Sequence, residues 1–315
     1  LERIHRIRQN IAADIGIILP KVRIRDSFQL EQQQYQFSIA GMPVAMGAVY
    51  PNMLLAIDSG MTTSKVPGIA AKEPAFGTPA VWIEPSLQDQ AQMFGYTVVD
   101  PGAVIATHLT ETVREHADEI LTRDAAKHLI DELKQNSPAV VDELIPGQMK
   151  LSEVQQILQL LLHEQVPIRQ LATVLEALGD SASRTKDPIT LTELVRARLA
   201  RVISTRYRDR DGTLHVITLD PPMEDRIRAG FDHTERGLMV RMSPQAIEKT
   251  CRSIAVEIEK LTRAGHRPIL LVSPQIRVGL KLITEPHLPK LIVLSYNEIT
   301  RDTRIESVAM VADAR

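Results

Sequence analysis

Leu1, Ile4, Ile7, Ile11, Ile15 and Ile18 recur at three- and four-residue steps with Arg, His and Glu between them. That spacing puts one apolar stripe on a helix, and Gly16 and Pro20 mark its end. The period then changes. Val22 to Phe28 alternates apolar and charged positions and predicts a strand; Tyr35, Phe37 and Ile39 predict a second. Across a turn at Gly41-Met42-Pro43, Val44 to Tyr50 predicts a third strand, and Met53 to Ile57 a fourth. Residues 58–79 carry Gly60, Pro67, Gly68, Pro74, Gly77 and Pro79 and few long apolar side chains, which predicts a loop-rich stretch with little regular structure. Ala80 to Ile83 and Tyr96 to Val99 read as short strands around a helix opened by Ser86, with Asp89 three residues on, and closed by Gly95. Together, residues 52–100 predict a compact module of small βαβ elements inserted in the first domain.

From Ala103 to about Tyr207 the pattern is helical. Ser152-x-x-Gln155 is expected to cap a helix burying Val154, Ile157, Leu158 and Leu161, and Pro167 to start the next, burying Leu171, Val174, Leu175 and Leu178. Thr190-x-x-Glu193 is expected to cap a third that runs to Tyr207. The C-terminal third alternates again: strands at Leu214–Leu219, Ile269–Val272, Leu291–Leu294 and Ile305–Val311, with helices at Ser243–Ala264 and Pro274–Ile283. Strand, helix, strand, helix, strand describes an α/β layer with crossovers. The pattern therefore predicts a mixed α/β fold, with residues 52–100 inserted in the first domain, a helical middle and an α/β layer at the end.

The chain's 315 residues suit more than one domain, at roughly 150 residues each. Thirty-seven Lys and Arg against 39 Asp and Glu leave a formal charge of −2, which argues against a surface that coats nucleic acid or anionic membrane. Aromatic residues are 3% of the chain, too few for base-stacking platforms. Cys251 is the single cysteine, so no internal disulfide forms, and a lone thiol suits a reducing compartment. No apolar run approaches the roughly 18 residues of a membrane span. The chain opens at Leu1 already inside a helical pattern, as a piece of a longer protein would, with room for a membrane segment upstream.

Candidate chemistry is sparse. Neither a G-x-G-x-x-G nor a P-loop occurs, and Ser273-Pro274 reads as an N-cap serine before a first-turn proline rather than an anion cradle. His108, Thr112, Glu115, His116 and Glu119 share one helix face, read as a solvated polar face because no further ligands converge on it. No nucleophile elbow is present, and Cys251 sits mid-helix without an electropositive setting. Arg196, Arg198, Arg201, Arg206, Arg208 and Arg210 form one basic cluster, read as the solvated face of a helix in preference to a nucleic-acid site. No catalytic group, metal site or cofactor is expected; an α/β enzyme using a small ligand at the C-terminal layer is the runner-up.

The segment Glu73-Pro74-Ala75-Phe76-Gly77-Thr78-Pro79-Ala80-Val81-Trp82-Ile83 is far less generic. It resembles the cytosolic region of the FlhA family, the FHIPEP proteins of the type III secretion export gate. Further matches follow in family order: Ile24-Arg25-Asp26, Gly95 to Asp100, Ala106-Thr107-His108-Leu109, Val166-Pro167-Ile168-Arg169, Leu191 to Arg196, Leu270 to Pro274 and Leu294 to Ile299. The likeness covers essentially the whole chain. The segments around Phe76, Thr107 and Ser273 look flagellar, whereas the basic helix and Asp225-Arg226-Ile227-Arg228 also suit an injectisome relative; the flagellar type is favoured.

The resemblance implies the cytoplasmic domain of a bacterial inner-membrane protein. It implies four small subdomains: a split first (1–51 and 101–120), an inserted module (52–100), an all-helical third (121–200) and an α/β fourth (201–315). It also implies a docking platform for export chaperones with their substrates that contacts other export-apparatus proteins and helps order export. In the full-length protein it implies a homo-oligomeric ring, commonly nonameric, with no nucleic acid and no enzymatic activity. By motif, the chaperone-binding residues are Glu73, Phe76 and Thr107, with Glu73 standing where the family has Asp. Phe76 would supply an aromatic anchor, and Glu73 and Thr107 polar register. Taken from the residues alone, Phe76 reads as core beneath a proline-rich loop.

Overall fold

A computed structural model describes residues 2–234 and 237–312, so Leu1 of the first predicted stripe lies outside the described residues. The chain divides into two compact units, residues 1–125 and 126–315.

The first unit opens with α1 (Glu2–Ile15), which buries Ile7, Ile11 and Ile15. Its stripe does not continue to Ile18 as expected. Beyond Gly16 the chain is extended, alternate residues face inward, and Ile17 and Leu19 are buried while Ile18 is exposed. Val22–Phe28 forms no strand, and Ile24 and Phe28 stand exposed. Alternation alone does not make a strand; the amides and carbonyls need a neighbour, and the hairpin that follows pairs only with itself. That hairpin is β1 (Gln34–Ile39) with β2 (Met42–Ala48), bulged at Phe37/Ser38.

Strands β3 (Leu54–Asp58), β4 (Ile69–Lys72), β5 (Pro79–Ile83) and β6 (Tyr96–Val99) form a sheet in the order β4-β5-β3-β6, with helix α2 (Gln88–Met93) between β5 and β6. The strand period of two sorts its faces. Leu55 packs with Ala80, Trp82 and Val104 on one side, and Ala56 with Ile83, Ala91 and Tyr96 on the other. Every hydrogen-bonded pairing is antiparallel, yet β5 and β6 flank β3, run parallel to each other and are joined through α2, so β5-α2-β6 is a βαβ element split by β3. Strand β4 also lies inside the stretch read as loop. It is a four-residue edge strand, Ile69-Ala70-Ala71-Lys72, with Gly68 before it and Pro79 opposite Lys72, and those flanking residues read as turn. Ser86 does not cap α2; Pro85–Leu87 form a single 3-10 turn ahead of it. Helix α3 (Pro101–Glu115) starts at Asp100, whose carboxylate accepts from the Ala103 amide and pairs with Arg3, and α4 (Ala117–Ile120) follows.

Six helices then run in succession: α5 (Arg123–Asn136), α6 (Pro138–Leu144), α7 (Leu151–His163), α8 (Leu171–Ser181), α9 (Pro188–Arg198) and α10 (Ala200–Tyr207). The predicted apolar faces of α7 and α8 are buried, but the starts differ. Helix α7 begins after Lys150, whose amide donates to Glu153; α8 begins at Leu171, four residues past Pro167; and α9 is capped by Asp187, with Pro188 in its first turn. Asp is as good a cap as Thr, and Pro188 fixes the first helical position, so Asp187 takes the role expected of Thr190. The predicted third helix is broken at Leu199 into α9 and α10.

The C-terminal layer comprises β7 (Thr213–Leu219), α11 (Pro221–Ala229), the hairpin β8 (Phe231–Thr234) and β9 (Gly237–Val240), α12 (Pro244–Arg263), β10 (Ile269–Val272), α13 (Pro274–Thr284), β11 (Ile292–Ser295) and β12 (Arg304–Val311). Its strands are parallel, as the crossover pattern implies, and the structure sets their order as β11-β10-β7-β12. Buried Ile217, Ile254, Leu270, Ile276 and Leu280 are part of its core. No helix among the described residues is long and apolar enough to cross a membrane.

Candidate functional site

The turn between β4 and β5 is built by Glu73. Its side chain is 4% exposed, and its two carboxylate oxygens accept from the Ala75 amide at 3.0 Å and the Phe76 amide at 2.7 Å. The backbone closes the same turn, with Gly77 donating to the Glu73 carbonyl and Glu73 donating to that of Thr78. Gly77 has φ +73°, a left-handed conformation that glycine adopts without a Cβ penalty. These constraints leave Phe76 pointing out, at 58% exposure. The core reading of Phe76 from its residue context is therefore corrected. A proline-rich loop reads as cover for a core, but here the amides of the loop are spent on Glu73 and the ring is displayed.

The Glu73 charge also acts on Tyr35 of β1 and His108 of α3. The Tyr35 hydroxyl is pushed well above the usual phenol range, by burial first and by Glu73 second. Burial holds the His108 imidazole below its ordinary value, with Glu73 opposing. The two share a hydrogen bond of 2.8 Å, and Phe37 completes an aromatic group around His108, with ring centroids 5.2 Å apart. Gly47 makes the Tyr35 position possible, since a Cβ there would lie 2.5 Å from the Tyr35 hydroxyl oxygen. His108 and Thr112 are buried, so the face of α3 read as solvated is polar only toward Glu115, His116 and Glu119; Tyr35, 73 residues away in sequence, supplies the partner that the local pattern hides. Thr107, one residue before His108 and about 100° around the helix, is exposed. The structure thus joins Glu73 and Phe76 in one turn, connects Glu73 electrostatically to His108, and places Thr107 as an exposed neighbour of that histidine.

Strongly perturbed carboxylates occur elsewhere, in the second unit. Arg277, with no exposed side-chain surface, is bidentate to both Glu164 and Glu193; Arg196, 2% exposed, bonds Glu298 and Glu164. Burial alone would raise the Glu164 carboxyl, but Arg196 and Arg277 hold it down at about 2, whereas burial outweighs the arginines at Glu193 and raises it. Arg196 is thereby removed from the solvated face assigned to it. The cluster also loses Arg198 to Asp180 and Arg208 to Asp302, which weakens the case for a phosphate-binding stripe. At the carboxyl end of β10 the Ser273 amide already donates to the Glu224 carboxylate, and Ser273 occupies the N-cap position without a side-chain capping bond. A carboxylate therefore stands where the runner-up reading needs a ligand anion. Cys251 is buried against the Ile283 carbonyl, and burial pushes its thiol up, away from reactive thiolate character.

Comparison with known proteins bears on the family and the fold. The flagellar biosynthesis protein FlhA of Bacillus subtilis is 38% identical over 311 residues, covering 99% of this chain and 46% of FlhA. The chain thus spans about half the length of the curated relatives it matches. The Chlamydia pneumoniae CdsV structure superposes with a TM-score of 0.88 at 27% identity, covering 98% of this chain and 89% of that one. A complex of CdsV with CdsO gives 0.87 at 27% identity, covering 98% and 90%. The FHIPEP family matches residues 1–304, and the chain belongs to that family.

Proposed function

We propose that this chain is the cytosolic docking platform of a bacterial flagellar type III export gate, which receives export chaperones with their substrates and contributes to the order of export. It would be the cytoplasmic part of an inner-membrane protein, non-enzymatic, without nucleic acid, in contact with other export-apparatus proteins and assembled as a ring in the full-length molecule. Four subdomains, with residues 52–100 inserted in the first, suit that role. The observation that carries the reading is an exposed Phe76 on a turn locked by a buried carboxylate. A rigid, displayed aromatic ring loses little entropy on binding and is the usual form of an interface anchor. In this reading Phe76 is the anchor, Thr107 adds a hydroxyl, and Glu73 holds the turn.

The higher identity to the flagellar relative than to CdsV favours the flagellar type. The CdsV–CdsO complex supports partner binding by this fold and keeps the injectisome type as the second reading. Isothermal titration of the chain with a folded flagellar chaperone–substrate complex from the same bacterium tests the proposal. Phe76→Ala is expected to weaken binding at least ~30-fold, about 2 kcal/mol, and Thr107→Val by a few-fold. Equal affinity of Phe76→Ala and the unsubstituted chain would remove Phe76 from the docking site.

A further inference from the structure

At the amino ends of β7 and β10 three ligand-type side chains converge. Asp209 lies in the turn before β7, His215 on β7, and His266 in the loop between α12 and β10, and one ligand atom from each lies within 4.8 Å of the other two. The Asp209 carboxylate is 3.2 Å from Nε2 of His215 and 4.0 Å from Nδ1 of His266. We propose that Asp209, His215 and His266 form a site for a divalent transition-metal cation of the zinc class.

The backbone at each position is fixed. The Asp209 amide donates to the Thr213 carbonyl, His266 donates to the Leu261 carbonyl that ends α12, and His215 is inside the sheet, facing Glu306 in register. Arg267, next to His266, lies over the Tyr207 ring at 5.7 Å and holds the loop against the end of α10. The donor set selects the metal: two imidazoles and one carboxylate suit zinc, cobalt or nickel, whereas magnesium and calcium want oxygen. A tetrahedral ion bonded at about 2.0–2.1 Å to nitrogen needs ligand atoms about 3.3 Å apart. The Asp209–His215 pair already meets that spacing.

The remaining movement falls on His266. Its ring stacks on His215, with centroids 3.8 Å apart and planes 23° apart, so its lone pair reaches the shared ion only when the imidazole swings off the stack. A partly exposed loop side chain can make that rotation. His215 carries the second observation. Its Nδ1 is buried without a hydrogen bond, with the Glu306 carboxylate at 3.8 Å. When Nε2 of a histidine ligates a metal, Nδ1 keeps the proton and seeks an acceptor, usually a carboxylate. Glu306 is placed to be that acceptor, and water would complete the fourth position. The site lies at the amino ends of the strands, opposite the edge where α/β sheets hold substrates. Its role is to staple the α10–β7 turn to the α12–β10 loop.

The test is a cobalt(II) titration of the tag-free chain, followed by zinc(II) competition. Visible d–d bands of tetrahedral cobalt saturating at one equivalent, bleached by zinc, are expected. Asp209→Asn and His266→Gln should each weaken cobalt binding ~10-fold or more, and Glu306→Gln by ~10-fold through His215. Zinc should raise the unfolding temperature of the unsubstituted chain and not that of His266→Gln. Non-saturating or octahedral cobalt spectra in the unsubstituted chain overturn the proposal whatever the variants do. Unchanged affinity in folded His266→Gln overturns it as well.

Discussion

Glu73, in the turn before β5, and Glu164, just past the end of α7, are both carboxylates taken out of water, and what replaces the water differs. Glu73 is satisfied by two backbone amides two and three residues away. Glu164 is satisfied by guanidiniums 32 and 113 residues away. Amide donors so close in sequence can only fix the path of their own loop, and a fixed loop has a free outer surface on which Phe76 is shown. Guanidiniums that far away join the helices of the second unit to α13 and the sheet, and both guanidiniums of that knot are buried. A buried charge therefore displays a neighbouring side chain when its partners are local and welds distant elements together when they are not. Three carboxylates meet two arginines in the knot, and the largely buried Lys281 adds a third positive charge that also lowers Glu164.

The comparison breaks most visibly if Arg277 is removed. Arg277→Ala leaves Glu164 and Glu193 buried without their bidentate partner, and breaking a buried pair costs about 3–5 kcal/mol. Urea unfolding should show that loss, while partner binding through Phe76 by the folded fraction stays intact. A loss below about 1 kcal/mol would mean that water enters the knot and that the contrast with Glu73 is false.

Acid gives the next largest effect. Glu164 sits at about 2 against an ordinary 4.5, so the folded state gives up its proton more readily than the unfolded chain. Its contribution is full above about pH 4.5 and is lost as pH falls toward 2, about 3 kcal/mol in all. Glu193, raised by burial, shifts the other way and offsets part of the fall. Stability measured between about pH 5 and 2 should drop more steeply in the unsubstituted chain than in Glu164→Gln. Parallel curves would remove Glu164 as the acid-sensitive group.

These outcomes bear on what the sequence makes visible. The buried strand runs at 214–219 and 269–272 and the apolar faces of α7 and α8 carry their own signal, because period and burial are local properties. The Phe76 segment was visible only through its resemblance to a family; its residue types alone pointed to core. Arg196, His108 and Glu193 look like surface or cap residues in the sequence because their partners lie 102, 73 and 84 residues away. No periodicity encodes such a partner. The Asp209, His215 and His266 group is hidden for the same reason, since α12 separates two of its members. Val22–Phe28 failed in the opposite sense: the local pattern was strand-like, and no neighbouring strand pairs with it.

Removing the Glu73 carboxylate sharpens the local half of the comparison. Glu73→Ala strands two amides in a partly buried turn, a cost of about 1–3 kcal/mol for bonds to a charged acceptor. The first unit should melt earlier, and binding through Phe76 should weaken although Phe76 itself is untouched. Glu73→Gln retains one oxygen acceptor and should recover part of both losses. If Glu73→Ala changes binding and leaves stability alone, the carboxylate touches the partner directly and is not a support for the turn.

The smallest effect is the most discriminating. Phe76→Ala removes a large apolar side chain, and in a core that change costs about 3–5 kcal/mol. At 58% exposure the ring contributes little to folding, so a stability change within about 0.5 kcal/mol is expected, the range of ordinary surface substitutions. The turn should persist because its bonds run from the Phe76 and Ala75 amides to Glu73, and alanine keeps the same backbone donor. Differential scanning calorimetry of Phe76→Ala beside Arg277→Ala then sets the two regions against each other in one measurement. Near-native melting for the first and a large fall for the second is the signature of a displayed anchor and a buried weld. A core-sized loss at Phe76 would show that the ring is held inside in solution and would remove it as the proposed anchor.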